Sequence, residues 1–382
     1  MIEIMKKILV ISFSKIHQDG RVLRQIKSLI EHNYSVTVIG FTNPNVDGVE
    51  FWQVSQNNLD IKTKFLFIIL LKLRLYSFYS KIDYRYQNLS KIWESRINKR
   101  FDLIIGNDIE TLFPTTYLAK NSIPVFFDAH EYFPEQKSGY LWKFIWHSYR
   151  DWLGKNYLPK VSKMCTVSEN IRQEYISKYS VDSFLMPNAK EYYDLTPSSV
   201  EYDKIKLVHH GMAIRERGLH LLLQLIKLLD ARFTLDLFLV EGDTGYWSEI
   251  EDEVSDLPKV TLHKGIPVAE IPVVLNQFDI GVHLIPPINF NQKNCLPNKY
   301  FEFIQARLAL ATGPTPDMKR LTEKYQIGLV SDNFHPSSLA NMLNRKTSTE
   351  IYQLKKNTHK IARDLSFEKY STKFIDEIKN IL

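Results

Sequence analysis

Two cysteines, Cys165 and Cys295, occur among 382 residues, which excludes a disulfide scaffold and makes a reducing compartment the simplest setting. Glycine and proline are also sparse, at 14 and 16 residues, far below a collagen-like or low-complexity chain. Long apolar runs are missing. The longest, Phe65–Leu71, has seven residues, whereas a membrane span needs about 20. The start, MIEIMKKILVISFSK, has a short apolar segment followed by Lys15 and His17, and reads as a buried strand, not as a secretory signal. No G-x-G-x-x-G follows that strand, which argues against a dinucleotide oxidoreductase, and no Asp-x-Asp metal pair occurs. What is present suits a folded globular chain: 44% hydrophobic residues, 24% charged residues and a net charge of +6.

Apolar runs with little alternation predict strands at Lys7–Ser14, Val36–Phe41, Asp102–Asn107, Pro124–Asp128 and Met164–Val167. A second series follows at Ile205–His209, Thr234–Val240, Val260–Leu262, Gly281–Leu284, Ala309–Thr312 and Gly328–Ser331. Such runs suit parallel strands covered on both faces. Helical stretches separate them. Val22, Leu23, Ile26, Leu29 and Ile30 form one stripe behind a candidate N-cap, Asp19, and Tyr370, Phe374, Ile378 and Ile381 share a face of a last helix. The alternation predicts α/β architecture with two doubly wound, Rossmann-like domains facing across a cleft. The expected boundaries are 1–190 and 204–365, with the polar stretch Lys190–Asp203 as linker and 366–382 as a helix packing back on the first domain.

Ligands in such folds bind at the carboxyl ends of strands, and four stretches carry unusual residues there. GNDIETL places Asn107 and Asp108 at a strand end, where an ordinary helix cap would also put them. FFDAHEYFPE sets Asp128, His130 and Glu131 in quick succession. His130 suits an anion, a sugar hydroxyl or a proton relay, and equally a structural hydrogen bond. A metal site there lacks further ligands elsewhere in the sequence. In HHGMAIRERGLHLLL, Gly211 is expected to open a loop that leads through Arg217 and Gly218 into a helix, an anion-binding arrangement. In NCLPNKYFEFIQA, Pro297 near a helix start leaves Asn298, Lys299 and Glu302 on the first turns, where a carboxylate could take both hydroxyls of a ribose.

Together, D-G-R-V-L-R, FDLIIGNDIET, FFDAHEYFPE, TVSENIRQEY, LMPNA, the Arg217-Gly218 loop and LPNKYFEFI resemble family 4 glycosyltransferases of the GT-B fold, of the bacterial surface-polysaccharide type. The order and spacing cover nearly the whole chain. The resemblance implies a nucleotide-sugar donor, UDP- or GDP-linked, on the second domain and a glycan or lipid-linked acceptor on the first. It implies transfer with retention and without metal or other cofactor. It also implies that Glu302 holds the donor ribose, that Arg217 and Lys299 face the diphosphate, and that His130 reaches the donor from across the cleft. The candidate catalytic residues are thus His130, Asp108 and Glu131. The candidate donor-binding residues are Gly211, Arg217, Gly218, Asn294, Asn298, Lys299 and Glu302. Departures from the family pattern stand at Asn294 (often Glu), Met212 (often Arg), Arg217 (often Lys) and Ala306-Arg307-Leu308-Ala309 (often A-G-L-P). A nucleotide-sugar epimerase or hydrolase, or a non-catalytic nucleotide-sugar-binding partner in glycan assembly, are the alternatives.

Residues 61–100 hold ten basic and two acidic residues interleaved with aromatic and aliphatic ones, and 140–157 add Trp142, Trp146 and Trp152. Both segments suit helices lying on an anionic membrane surface, and equally helices that simply cover the first sheet. No nucleic-acid-binding module accompanies the charge. The expected location is cytoplasmic, peripheral on the inner face of the membrane.

Overall fold

A computed structural model describes residues 5–56, 59–96, 99–120, 122–137 and 139–382. The chain forms two compact units, one of residues 1–187, 289–291 and 371–382 and the other of 188–288 and 292–370.

The first unit contains β1 (Lys7–Ser12), β2 (Ser35–Gly40), β3 (Glu50–Gln53), β4 (Leu103–Asn107), β5 (Val125–Ala129), β6 (Lys163–Thr166) and β7 (Phe184–Leu185). All pairings are parallel, in the order β3-β2-β1-β4-β5-β6-β7. Ile8, Leu9, Val10 and Ile11 are all buried, as a strand covered on both faces requires. Asp19 caps the first long helix, Gly20–Glu31, by accepting from the Arg21 and Val22 amides. Val22, Ile26 and Leu29 of its stripe are buried, whereas Leu23 and Ile30 are partly exposed. The last helix, Phe367–Ile381, joins this unit from Ser371 onward. There Phe374 meets Phe126 edge-on at 5.3 Å and Glu377 pairs with Lys163.

The second unit contains β8 (Ile205–Ala213), β9 (Phe233–Glu241), β10 (Val260–Lys264), β11 (Ile280–His283), β12 (Ala309–Thr312) and β13 (Gly328–Val330). They too are parallel, in the order β10-β9-β8-β11-β12-β13. The doubly wound α/β expectation therefore holds in both units.

Three differences from the sequence reading have physical causes. β3 and β7 are additional edge strands, of four and two residues, too short to show a period. β8 runs through Gly211 to Ala213 because β9 continues to pair with it as far as Glu241. Gly211 therefore sits within a strand and does not open the loop, and an Arg215–Arg217 turn and Gly218 precede the helix His220–Leu228. Residues 186–204 form no helix or strand, yet Lys190, expected in a polar linker, is buried.

Candidate functional sites

In each sheet the strand order reverses once, between β1 and β4 and between β8 and β11. Strand ends diverge at such a point and leave a crevice beyond their carboxyl termini. Each unit has a pocket there.

The pocket of the second unit measures about 350 Å³. His210 and Gly211 of β8, Arg217 of the following turn, His283 of β11, and Asn298, Lys299 and Glu302 of the helix Asn298–Gln305 line it. That helix forms because Pro297 presets its entry, and Tyr300, Phe301, Phe303 and Ile304 anchor it in the core. Its first turn is thereby held at the pocket. Gly211 has φ of +133°, and a Cβ placed on it would stand 2.6 Å from Lys299 Nζ and 3.1 Å from an Arg217 guanidinium nitrogen. Glycine thus leaves the room in which two cations meet.

Glu302 is 4% exposed. Lys190 Nζ stands 3.1 Å from Oε1 and His210 Nε2 stands 3.2 Å from Oε2. Burial works against its charge, but the contacts with His210 and Lys190 hold the carboxyl at about 2. An ionised carboxylate offers about four acceptor sites, so these contacts leave room for further donors. Lys299 is driven the other way. Burial, and then Arg217, lower its ammonium to about 7, against the pull of Glu302. His283 falls to about 3 through burial and the nearby Lys299 and Arg217, so its ring is neutral. Its Nδ1 and the Thr315 hydroxyl, both on the wall, are buried and have no hydrogen-bond partner among the described residues.

Gly211, Arg217, Asn298, Lys299 and Glu302 meet at this pocket. Asn294 is buried away from its lining, and Gln292 and Cys295 line it instead. Gly218 lies outside the lining, in the left-handed conformation that ends the Arg215–Arg217 turn. Lys190, His283 and Thr315 carried no motif, and His210 stood in HHGMAIRERGLHLLL without being singled out. His210 is the one with a local signal, a polar residue next to the glycine at a strand's carboxyl end.

The first unit's pocket measures about 320 Å³. Ser12 of β1, Asn107 of β4, Asp108, Glu110 and His130 line it, with Arg85 at one side. Asp108 and His130 meet there, while Glu131 lies outside the lining. Asp108 takes φ of +66° and caps the helix Ile109–Ala119 through the Ile109 amide, 2.9 Å away. Its carboxyl is raised by burial and by Glu110. Burial, and then Asp108, push the Glu131 carboxyl up to about 7. His130 Nε2 stands 3.3 Å from Asn107 Oδ1 and 3.7 Å from Asp128. Asp128 is fully buried and held at 2.6 and 2.9 Å by Arg21, the first arginine of the D-G-R-V-L-R motif. Among the described residues no cluster of three metal-ligating side chains occurs.

The basic segment forms helices Ile61–Lys72, Tyr76–Ile82 and Tyr84–Ser95. Residues 97 and 98 of it lie outside the described residues. One side packs inward through Phe67, Leu70, Tyr79 and Leu89, while Phe65, Leu73 and Phe78 are exposed, as are Leu141 and Phe144 of the second segment. The Lys72 ammonium lies on the Phe144 ring. Among the described residues no helix is long and apolar enough to cross a membrane.

Comparison with known proteins gives a consistent picture. Residues 21–189 match the sequence model of Glycosyltransferase Family 4. No curated protein sequence matches the chain. Similar solved structures include Anabaena HepE in complex with UDP and glucose, with TM-score 0.69 and 14% identity over 98% of this chain and 100% of that one. Sucrose-phosphate synthase from Thermosynechococcus elongatus gives 0.73 and 12% over 98% and 99%. A glycosyltransferase from Rickettsia africae gives 0.67 and 14% over 99% and 98%. At these identities the likeness is one of fold.

Proposed function

We propose that this chain, whose residues 21–189 match the sequence model of Glycosyltransferase Family 4 and whose two units have the GT-B architecture, moves a glycosyl group from a nucleotide-sugar donor to a glycan or lipid-linked glycan. The observation that carries this reading is the meeting of an ionised carboxylate, Glu302, with two cations, Lys299 and Arg217, over Gly211 in one pocket. A vicinal diol fits the carboxylate's free acceptor sites, and a diphosphate fits the cations. The HepE complex with UDP favours a uridine donor, with a GDP-linked donor as the other choice.

Cleaving a sugar–phosphate bond builds negative charge on the departing diphosphate, and preorganised donors and cations are the means of stabilising it. Lys299 and Arg217 supply that charge here without a metal ion. In this reading the donor phosphate takes the acceptor proton as the acceptor oxygen attacks from the same face, a front-side reaction with retention. His130 orients the donor or polarises its hydroxyls, with Asp108 and Glu131 shaping the acceptor end. Gly218 and Asn294, outside the pocket lining, act by fixing the Arg217 turn and the helix start. The exposed aromatic and basic surface of 61–96 and 140–157 then holds the enzyme on the anionic cytoplasmic face of a membrane, where it serves surface-polysaccharide synthesis.

A melting-point screen of nucleotide sugars identifies the donor, because a ligand that binds the folded state raises the midpoint. With that donor, His130→Ala and Glu302→Ala each cut transfer by about 10²–10³. Near-normal transfer by both variants removes the assignment.

A further inference from the structure

His130 belongs to a buried polar chain whose hydrogen-bond direction is set from one end. Asp128 anchors it. Its carboxylate is fully buried, and although burial alone would raise it, Arg21 and His130 hold it below the ordinary range. An ionised carboxylate only accepts. Gln25, also fully buried, lies 3.3 Å from Asp128 Oδ2 and must therefore turn its amide nitrogen to it. Its amide oxygen then faces the other way and accepts from Asn107 Nδ2 at 2.9 Å. With its nitrogen so committed, Asn107 presents its oxygen to His130 Nε2 at 3.3 Å. Two acceptors, Asn107 Oδ1 and, farther off at 3.7 Å, Asp128 Oδ2, thus face that ring nitrogen.

We infer that Asn107, oriented by Gln25 and Asp128, is a positioning residue that fixes His130 as its Nε2–H tautomer and leaves Nδ1 as a hydrogen-bond acceptor. Nδ1 has no hydrogen-bond partner among the described residues. A neutral His130 would then accept a proton from a ligand hydroxyl and could not donate one to it. That consequence rests on the functional reading above, whereas the tautomer does not.

The test is long-range ¹H–¹⁵N correlation of ring-labelled histidine in the free protein at about pH 8.5, well above the ordinary imidazole range. The signal missing from His130→Gln identifies the residue. The expected result is a protonated Nε2 and an unprotonated, downfield Nδ1 in the wild type, and a mixture of tautomers in Asn107→Ala. A protonated Nδ1 in the wild type overturns the inference. A pure Nε2–H form persisting in Asn107→Ala overturns the role of Asn107. Should that variant not fold, the wild-type spectrum alone decides. Unimpaired transfer by His130→Ala would instead remove the functional reading and leave the tautomer standing.

Discussion

The pocket changes the chemistry of Lys299 strongly. Its ammonium is lowered to about 7 by burial and by Arg217. A bound diphosphate favours the cation and raises that value. Between the free and bound values, binding takes up a proton, so donor affinity falls as pH rises above about 7, by up to about tenfold per unit. Calorimetric titration in buffers of differing ionisation enthalpy measures the uptake. Proton release, or pH-independent affinity, contradicts this role. Gly211 gives a second expectation. A methyl group there adds strain of about 1–3 kcal/mol and displaces Lys299 Nζ. Gly211→Ala therefore weakens donor binding by about tenfold or more. At Gly218 a Cβ meets nothing closer than 3.5 Å, so Gly218→Ala costs the left-handed preference, about 1 kcal/mol of stability, and weakens donor binding less than Gly211→Ala does.

At the scale of elements, Arg307 shows how a strained backbone position is compensated. It follows the helix Asn298–Gln305 at φ of +61°, a conformation that favours glycine. Its fully buried guanidinium donates to the Ile304, Gln305, Tyr193 and Leu195 carbonyls. It thus pins residues 193–195, which form no helix or strand, to the second unit. Arg307→Ala removes these bonds and keeps the backbone strain. Arg307→Gly removes the bonds but relieves the strain. Both lower the thermal midpoint, and the alanine variant lowers it further, by about 1 kcal/mol in stability. A glycine variant less stable than alanine would refute the account. The same elements mark what was legible. Continuous apolar runs declared the central strands, and Pro297 declared the helix that carries Lys299 and Glu302. β3 and β7 were hidden because two to four residues at a sheet edge show no period. Lys190 was hidden because its partner, Glu302, is 112 residues away in a different element; composition alone placed it in a solvated linker. His283 and Thr315 matter only through the wall they share, which strand order assembles and sequence distance does not reveal.

At the scale of the whole molecule, the charge is unevenly placed: the ten basic residues of 61–100 outweigh the two acidic ones there by more than the net +6 of the entire chain. Interleaved with exposed Phe65, Leu73 and Phe78, the exposed ones among them are expected to gain about 1 kcal/mol each from an anionic membrane, whereas Arg85 pairs with Asp83 and lines the first unit's pocket. Flotation with phosphatidylserine-containing vesicles is expected, and it should fall in a Lys62→Glu, Lys64→Glu, Arg74→Glu variant. Equal flotation with neutral vesicles would contradict an electrostatic contribution.

The central claim is that the second unit holds a diphosphate-linked sugar between a carboxylate and two cations. Calorimetric titration of the nucleotide sugar that most raises the melting point, into wild type and Glu302→Ala side by side, tests it most directly. Saturable one-to-one binding to the wild type, weakened at least about tenfold in the variant, is predicted. Equal affinity in both proteins, or no binding by any nucleotide sugar, would contradict it.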